Sequence, residues 1–204
     1  MLAGRYEERR TLKALSLEFT RSVARLGDLP APGLPEVALL GRSNVGKSSL
    51  LNNVGGNRKL ARISRSPGRT QAIHFYASTD LIVVDLPGYG YAKVPEGVRR
   101  SWARLIEGYL EKRESLAGAV LILDSRHEPN ELDRIMHDWL VRRKVSFLAV
   151  ATKADKLKRG EMNPSLDTIR KTLGLRQEEV LLFSAKSGLG RTKLIDWIRQ
   201  RRRS

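Results

Sequence analysis

From Pro35 onward the chain repeats a simple pattern. Short unbroken apolar runs recur at Val37–Leu40, Leu81–Val84, Ala119–Leu123, Phe147–Ala151 and Val180–Phe183. Runs this short, rich in Val, Ile and Leu, read as strands buried on both faces, as in a parallel sheet. Between them lie amphipathic segments, Lys47–Val54, Gly97–Ser115, Glu131–Val141, Pro164–Leu173 and Thr192–Arg202. They read as helices: in the second, Val98, Trp102, Leu105, Ile106 and Tyr109 fall on one face at helical spacing. Strands alternating with helices predict right-handed βαβ units and a doubly wound α/β sheet covered on both faces.

The segment Gln71–Ser78 alternates apolar and polar positions and enters Leu81–Val84 through Thr79 and Asp80. That pattern predicts an antiparallel edge strand hairpinned onto the sheet, for a mostly parallel sheet of six strands. Residues 1–34 read as a polar N-terminal extension that ends in the Pro- and Gly-rich stretch 29–35. Its apolar positions Leu12, Leu15, Leu17 and Phe19 are expected to pack on the domain, which is expected to span 35–204.

Directly after the first buried run comes Gly41, Arg42, Ser43, Asn44, Val45, Gly46, Lys47 and Ser48, a G-x-x-x-x-G-K-S phosphate loop that opens a helix. Glycines let main-chain N–H groups close on a phosphate at a helix N-terminus, where the peptide dipoles favour an anion. Lys47 can supply a point charge to the outer phosphates, and the Ser48 hydroxyl can ligate Mg2+. The fold is therefore expected to be that of a P-loop NTPase.

Four further segments, each at a strand end or beside a strand, select the nucleotide. Asp85, Leu86, Pro87 and Gly88 end the run at 81–84; Asp85 can hold Mg2+ through water and Gly88 can donate its N–H to a γ-phosphate. Thr152, Lys153, Ala154 and Asp155 end the run at 147–151, and the Asp155 carboxylate can accept from the N1–H and amino group of guanine. Adenine lacks both donors there, so its binding would leave a charged acceptor unpaired. The Lys153 stem can lie across the base. Ser184, Ala185 and Lys186 end the last run and offer a main-chain N–H to the guanine carbonyl. Gly68, Arg69, Thr70 and Gln71 lie between a basic loop and the edge strand, where Thr70 can complete the Mg2+ shell when a γ-phosphate is present. Ligands of open α/β sheets bind at those strand ends. The ligand predicted is GTP or GDP.

Composition narrows the partners. The chain has 38 Lys and Arg against 22 Asp and Glu, a formal net charge of +16. Such a surplus favours a polyanion, with nucleic acid ahead of an anionic membrane surface. The basic residues cluster at Arg58, Lys59, Arg62, Arg65 and Arg69, at Arg142–Lys144, at Lys156–Arg159 and in the tail from Arg199 to Arg203. No Cys is present, which excludes disulfides and thiol chemistry, and none of the three His stands at metal-ligand spacing. With no signal-like or membrane-length apolar run, the chain is expected to be soluble and cytoplasmic. It is also expected to be a monomer that reads no DNA sequence. Trp102, Trp139 and Trp197 read as packing residues rather than base-stacking platforms.

The strings GRSNVGKS, SPGRTQ, DLPGYGYA, TKADK and SAK resemble the bacterial EngB (YihA/YsxC) family, within the TrmE-Era-EngA-EngB-Septin-like GTPases, over roughly residues 17–200. The resemblance implies GTP binding with Mg2+ and slow hydrolysis. It also implies action on the large ribosomal subunit during assembly and a need in cell division and septation. Tyr89 stands where Ras-like enzymes carry a water-orienting Gln, so hydrolysis needs another arrangement. Related GTPases with Asn at the position of Asn44 hold K+ in place of an arginine finger, which makes Asn44, Lys47 and Thr70 the catalytic candidates. Thr152, where many GTPases carry Asn, is expected to loosen the contacts between loops. Tyr89 and Tyr91 read equally as packing anchors or as partner surface. A basic RNA-binding module that keeps GTP as a structural ligand is the alternative to a regulatory GTPase.

Overall fold

The computed structural model describes residues 14–61, 72–89 and 96–203, with backbone alone at 96, 98–102 and 203. Among these residues seven strands form one sheet: β1 (Glu18–Val23), β2 (Glu36–Gly41), β3 (Ile73–Ala77), β4 (Ile82–Asp85), β5 (Leu116–Asp124), β6 (Phe147–Thr152) and β7 (Val180–Leu182). Their order is β1-β3-β4-β2-β5-β6-β7. β2 pairs in parallel with β4 and β5, and β5–β6–β7 continue in parallel. β3 alone runs against its neighbours, antiparallel to both β1 and β4.

The count is one strand more than the sequence predicts, and the antiparallel strand is not the edge. The added strand is β1, from the segment read as an extension. Only Val23 in it is buried, because β1 joins the sheet through main-chain bonds to β3 and leaves its faces largely to solvent. Leu15 and Leu17 before it are buried in the core, whereas Phe19 is exposed; Leu12 lies outside the described residues.

Among the described residues, five α-helices cover the sheet: α1 (Lys47–Gly55), α2 (Glu96–Lys112), α3 (Glu131–Arg142), α4 (Met162–Leu173) and α5 (Arg191–Gln200). Alternation along the strands sorts the core. Ala38, Leu40, Val84, Leu121, Leu123, Ala149 and Ala151 meet α2, α3 and α4 through residues such as Ile106, Tyr109, Leu140 and Ile169. Val37, Leu39, Val83, Val120, Ile122, Leu148 and Val150 meet α1 and α5 through Leu50, Leu51, Val54, Leu194, Ile195 and Ile198. With both faces buried, the strands read as unbroken apolar runs. Trp139 and Trp197 pack partly buried against these clusters, with Arg143 and Arg201 stacked over them. The side chains of Val98 and Trp102 lie outside the described residues.

At the amino ends of the strands, fully buried Glu36 opens β2 and anchors α2. Its carboxylate accepts from Tyr109 Oη at 2.6 Å and Arg113 Nε at 2.8 Å, and pairs with Arg113 Nη2. Arg113 Nη1 also donates to the Pro30 carbonyl at 2.6 Å. This leaves the opposite, carboxyl end of the sheet to carry the loops of interest. No helix among the described residues is long and apolar enough to cross a membrane.

Candidate functional site

The phosphate loop leaves β2 at Gly41 and enters α1 at Lys47. Its curl depends on two left-handed residues, Asn44 at φ 63° and Gly46 at φ 106°. A β-carbon at Gly46 would sit 3.3 Å from Thr152 Oγ1 in a conformation that L side chains rarely adopt, so glycine is required. Lys47 is 8% exposed and its ammonium pairs with Asp85, 3% exposed, at the end of β4. Two charges buried together satisfy one another, and phosphate and a divalent cation are the ligands that compete for such a pair. Half-buried Ser48 follows Lys47 in the first turn of α1. His74 faces Asp85 across the β3–β4 ladder. Burial holds its imidazole below the usual value, opposed by Asp85 and reinforced by Lys47.

β6 and β7 deliver the second loop. Asp155 is exposed and accepts a hydrogen bond from Ser184 Oγ at 2.8 Å, while Ser184 itself is fully buried. The Ala185 carbonyl accepts from Asn53 Nδ2 of α1 at 3.0 Å, and Lys186 is exposed beyond it. Lys153, left-handed at φ 61°, sends its ammonium to the Asn44 carbonyl at 2.7 Å and to Asp124 Oδ2 at 2.8 Å. Buried Thr152 Oγ1 lies 2.5 Å from the Val45 carbonyl and 2.9 Å from that of Leu123. Thr152, expected to loosen the contacts between loops, places its hydroxyl directly against the phosphate loop, where Gly46 leaves room for it.

Asp124 is a member of the site that sequence reading passed over. It ends β5, binds Lys153 and takes a paired contact from Arg126, through Nε at 2.9 Å and Nη2 at 2.8 Å. Burial pushes its carboxyl up, but the Arg126 and Lys153 hydrogen bonds outweigh that and hold it well below the usual carboxylate range. An acid closing an apolar strand run, two residues before Arg126, was the available signal.

The loop after β4 folds back onto the phosphate loop. Ser43 N–H donates to the Tyr89 carbonyl at 3.0 Å and Tyr89 N–H to the Gly41 carbonyl at 3.3 Å, a parallel bridge of Tyr89 with Arg42. Gly88 lies so close that an added β-carbon would stand 3.2 Å from Ser43 N. The Tyr89 hydroxyl donates to Asp133 Oδ1 at 3.2 Å, which makes Tyr89 a packing anchor. Leu86 and Pro87 are buried beneath this turn. Gly68, Arg69, Thr70, Gln71 and Tyr91, with Arg62 and Arg65, lie outside the described residues. Of that basic loop, Arg58 and Lys59 are exposed in a turn that Asn52 fastens, donating to the Arg58 and Ala61 carbonyls at 3.0 Å each.

The phosphate loop is tied through Lys153 and Thr152 to the carboxylate-bearing loop after β6. The profile of a family described as "50S ribosome-binding GTPase" matches residues 36–153. A "Probable GTP-binding protein EngB" of Pelotomaculum thermopropionicum is 48% identical over 189 residues, covering 92% of this chain and 96% of that protein. The chain belongs to the EngB family. A second EngB relative, from Desulforamulus reducens, is 48% identical over 187 residues, covering 90% of this chain and 91% of its own. Among solved structures, a "probable GTP-binding protein engB" superposes with a TM-score of 0.70 at 22% identity, covering 82% of this chain and 98% of that one. Era in complex with MgGDPNP and nucleotides of 16S ribosomal RNA superposes at 0.67 with 23% identity, over 83% of this chain and 57% of that one. At such identities the likeness is one of fold: a P-loop GTPase sheet with helices on both faces. As an EngB protein, the chain binds guanine nucleotides and hydrolyses GTP.

Proposed function

We propose that this GTPase acts as a slow switch on the large ribosomal subunit during its assembly, and that its loss disturbs cell division and septation. One observation carries the site assignment: the loops after β2, β4, β6 and β7 converge at one end of the sheet and are bonded to one another. Residues 41–48 cradle the phosphates, with Lys47 as counter-charge. Residues 85–88 follow the γ-phosphate through the Gly88 N–H. Asp155 reads the guanine edge, Lys153 underlies the base, and Ser184–Lys186 close on the guanine carbonyl. Thr70, in the 68–71 segment, completes the set.

The donor set suits Mg2+: a hydroxyl at Ser48 and a carboxylate at Asp85, hard oxygen ligands adjoining a phosphate cradle, with Thr70 as the third. When bound, the ion would neutralise charge shared by the β- and γ-phosphates. The chain's own contribution is to keep the paired Lys47 and Asp85 charges buried and aligned. With Tyr89 bonded to Asp133, no side-chain amide occupies the residue after Gly88 to orient water, which supports slow turnover. Asn44 is exposed in its left-handed turn, and its side chain is our candidate K+ ligand. Hydrolysis is expected to run several-fold faster in potassium than in sodium chloride of equal ionic strength; equal rates remove K+ from the mechanism.

The ribosomal part rests on the family description and on the +16 charge, which suits rRNA through counterion release. Sedimentation with separated subunits in GDP, GTP and a non-hydrolysable analogue tests it. Co-migration with the large subunit is expected in the triphosphate state and not with GDP. A Lys47→Ala protein that still binds rRNA at full strength would favour the alternative, a basic RNA-binding module that carries GTP structurally.

A further inference from the structure

Arg42, Tyr89 and Asp133 come from three separate parts of the chain and meet at one carboxylate. Asp133 is 4% exposed and lies in the first turn of α3, where its main-chain N–H donates to Asn130 Oδ1 at 3.1 Å and its Oδ2 accepts from Asn130 N–H at 3.2 Å. That capping box is complete without Tyr89. The same carboxylate nonetheless accepts from the Tyr89 hydroxyl at 3.2 Å and faces Arg42 Nη1 at 3.8 Å. Burial raises the Asp133 carboxyl, against the Asn130, Arg42 and Tyr89 contacts that favour its ionised form. An acid kept this deep, with bonds beyond those its helix cap needs, is placed for a second task.

We propose that Asp133 is a positioning residue for GTP hydrolysis, which through the Tyr89 hydroxyl latches the Gly88–Tyr89 main chain onto the phosphate loop. Tyr89 is gripped at both ends, by its peptide on Gly41 and Ser43 and by its hydroxyl on Asp133. Gly88 precedes it and stands against Ser43, whose Oγ donates to the Gly88 carbonyl at 3.5 Å, so the latch holds the segment that carries the Gly88 N–H. A donor fixed in advance has less freedom to lose on binding. Only the triphosphate draws on that donor, so the latch separates GTP from GDP rather than strengthening both. It also ties the loop after β4 to the N-terminus of α3.

The inference rests on the assignment of the Gly88 N–H to the γ-phosphate. Tyr89→Phe removes one oxygen and leaves the α3 cap whole. Titrations with GDP and with a non-hydrolysable GTP analogue are expected to show analogue affinity falling about tenfold, the scale of one lost hydrogen bond to a charged group. GDP affinity is expected to stay within about twofold, and single-turnover hydrolysis to slow. Asp133→Ala serves as second variant, and in the analogue-to-GDP ratio the double variant should be little worse than either single one, because both remove the Tyr89–Asp133 contact. Parallel losses for both nucleotides, no change in either, or tighter analogue binding would overturn the latch. Gly88→Pro, which removes that N–H, separates the premises. If it leaves the analogue-to-GDP ratio untouched, the γ-phosphate assignment fails and takes the latch with it; if it collapses the ratio while Tyr89→Phe does not, the latch alone fails.

Discussion

Asp155→Asn is expected to weaken GTP binding by about a hundredfold to a thousandfold and to improve binding of xanthosine triphosphate. Guanine presents two N–H donors along one edge, and a carboxylate accepts both. At ~1.5–3 kcal/mol for each hydrogen bond to a charged group, losing most of that pairing costs two to three orders of magnitude. Asparagine keeps one oxygen but turns an amide donor toward a guanine donor, which adds repulsion to the loss. Xanthine has a carbonyl where guanine has its amino group, so the same amide finds an acceptor. The loop itself should survive, because Ser184 Oγ donates to Asp155 Oδ1 and asparagine retains an oxygen to receive it. Calorimetry with both nucleotides on the folded variant gives the answer. A GTP affinity within threefold of the unmodified protein would remove Asp155 from the guanine edge.

The second large effect lies at the other end of the sheet and concerns stability alone. Glu36→Ala strips the partner from Arg113, which is 8% exposed, and from the Tyr109 hydroxyl, whose pKa burial and the Glu36 carboxylate push well up. Leaving a buried guanidinium uncompensated costs about 3–5 kcal/mol. For a chain of this size that is a fall in Tm on the order of 10 °C. Glu36→Gln keeps an acceptor for Tyr109 and should lose less. Thermal unfolding followed by circular dichroism measures both. Nucleotide affinity well below the transition should not change, because Glu36 opens β2 while the phosphate loop leaves its far end. A drop under about 2 °C would mean that Arg113 finds water once Glu36 is gone.

The apolar runs foretold the five parallel strands β2, β4, β5, β6 and β7 because burial on both faces leaves a signal in every residue. β1 left none: five of its six residues are exposed, and what places it is main-chain pairing with β3, which carries no side-chain signature. Tyr89 shows the same limit at the site. Its position after Gly88 was legible, but its role was not, because its partner Asp133 is 44 residues away. Asp124 could have been found from the acid that closes the β5 run, though not its bond to Lys153, which a second strand delivers.

What the chain determined by itself was local. Gly46 and Lys47 make a phosphate loop wherever a buried strand hands over to a helix, since backbone conformation and N–H direction depend on neighbours in sequence. What only the tertiary structure decided was which distant groups share a charge or a proton: Thr152 with Val45 across 107 residues, and Glu36 with Arg113 across 77. Such pairs have no period and no fixed spacing, because a hydrogen bond of three ångströms depends on where the folded sheet delivers its two ends.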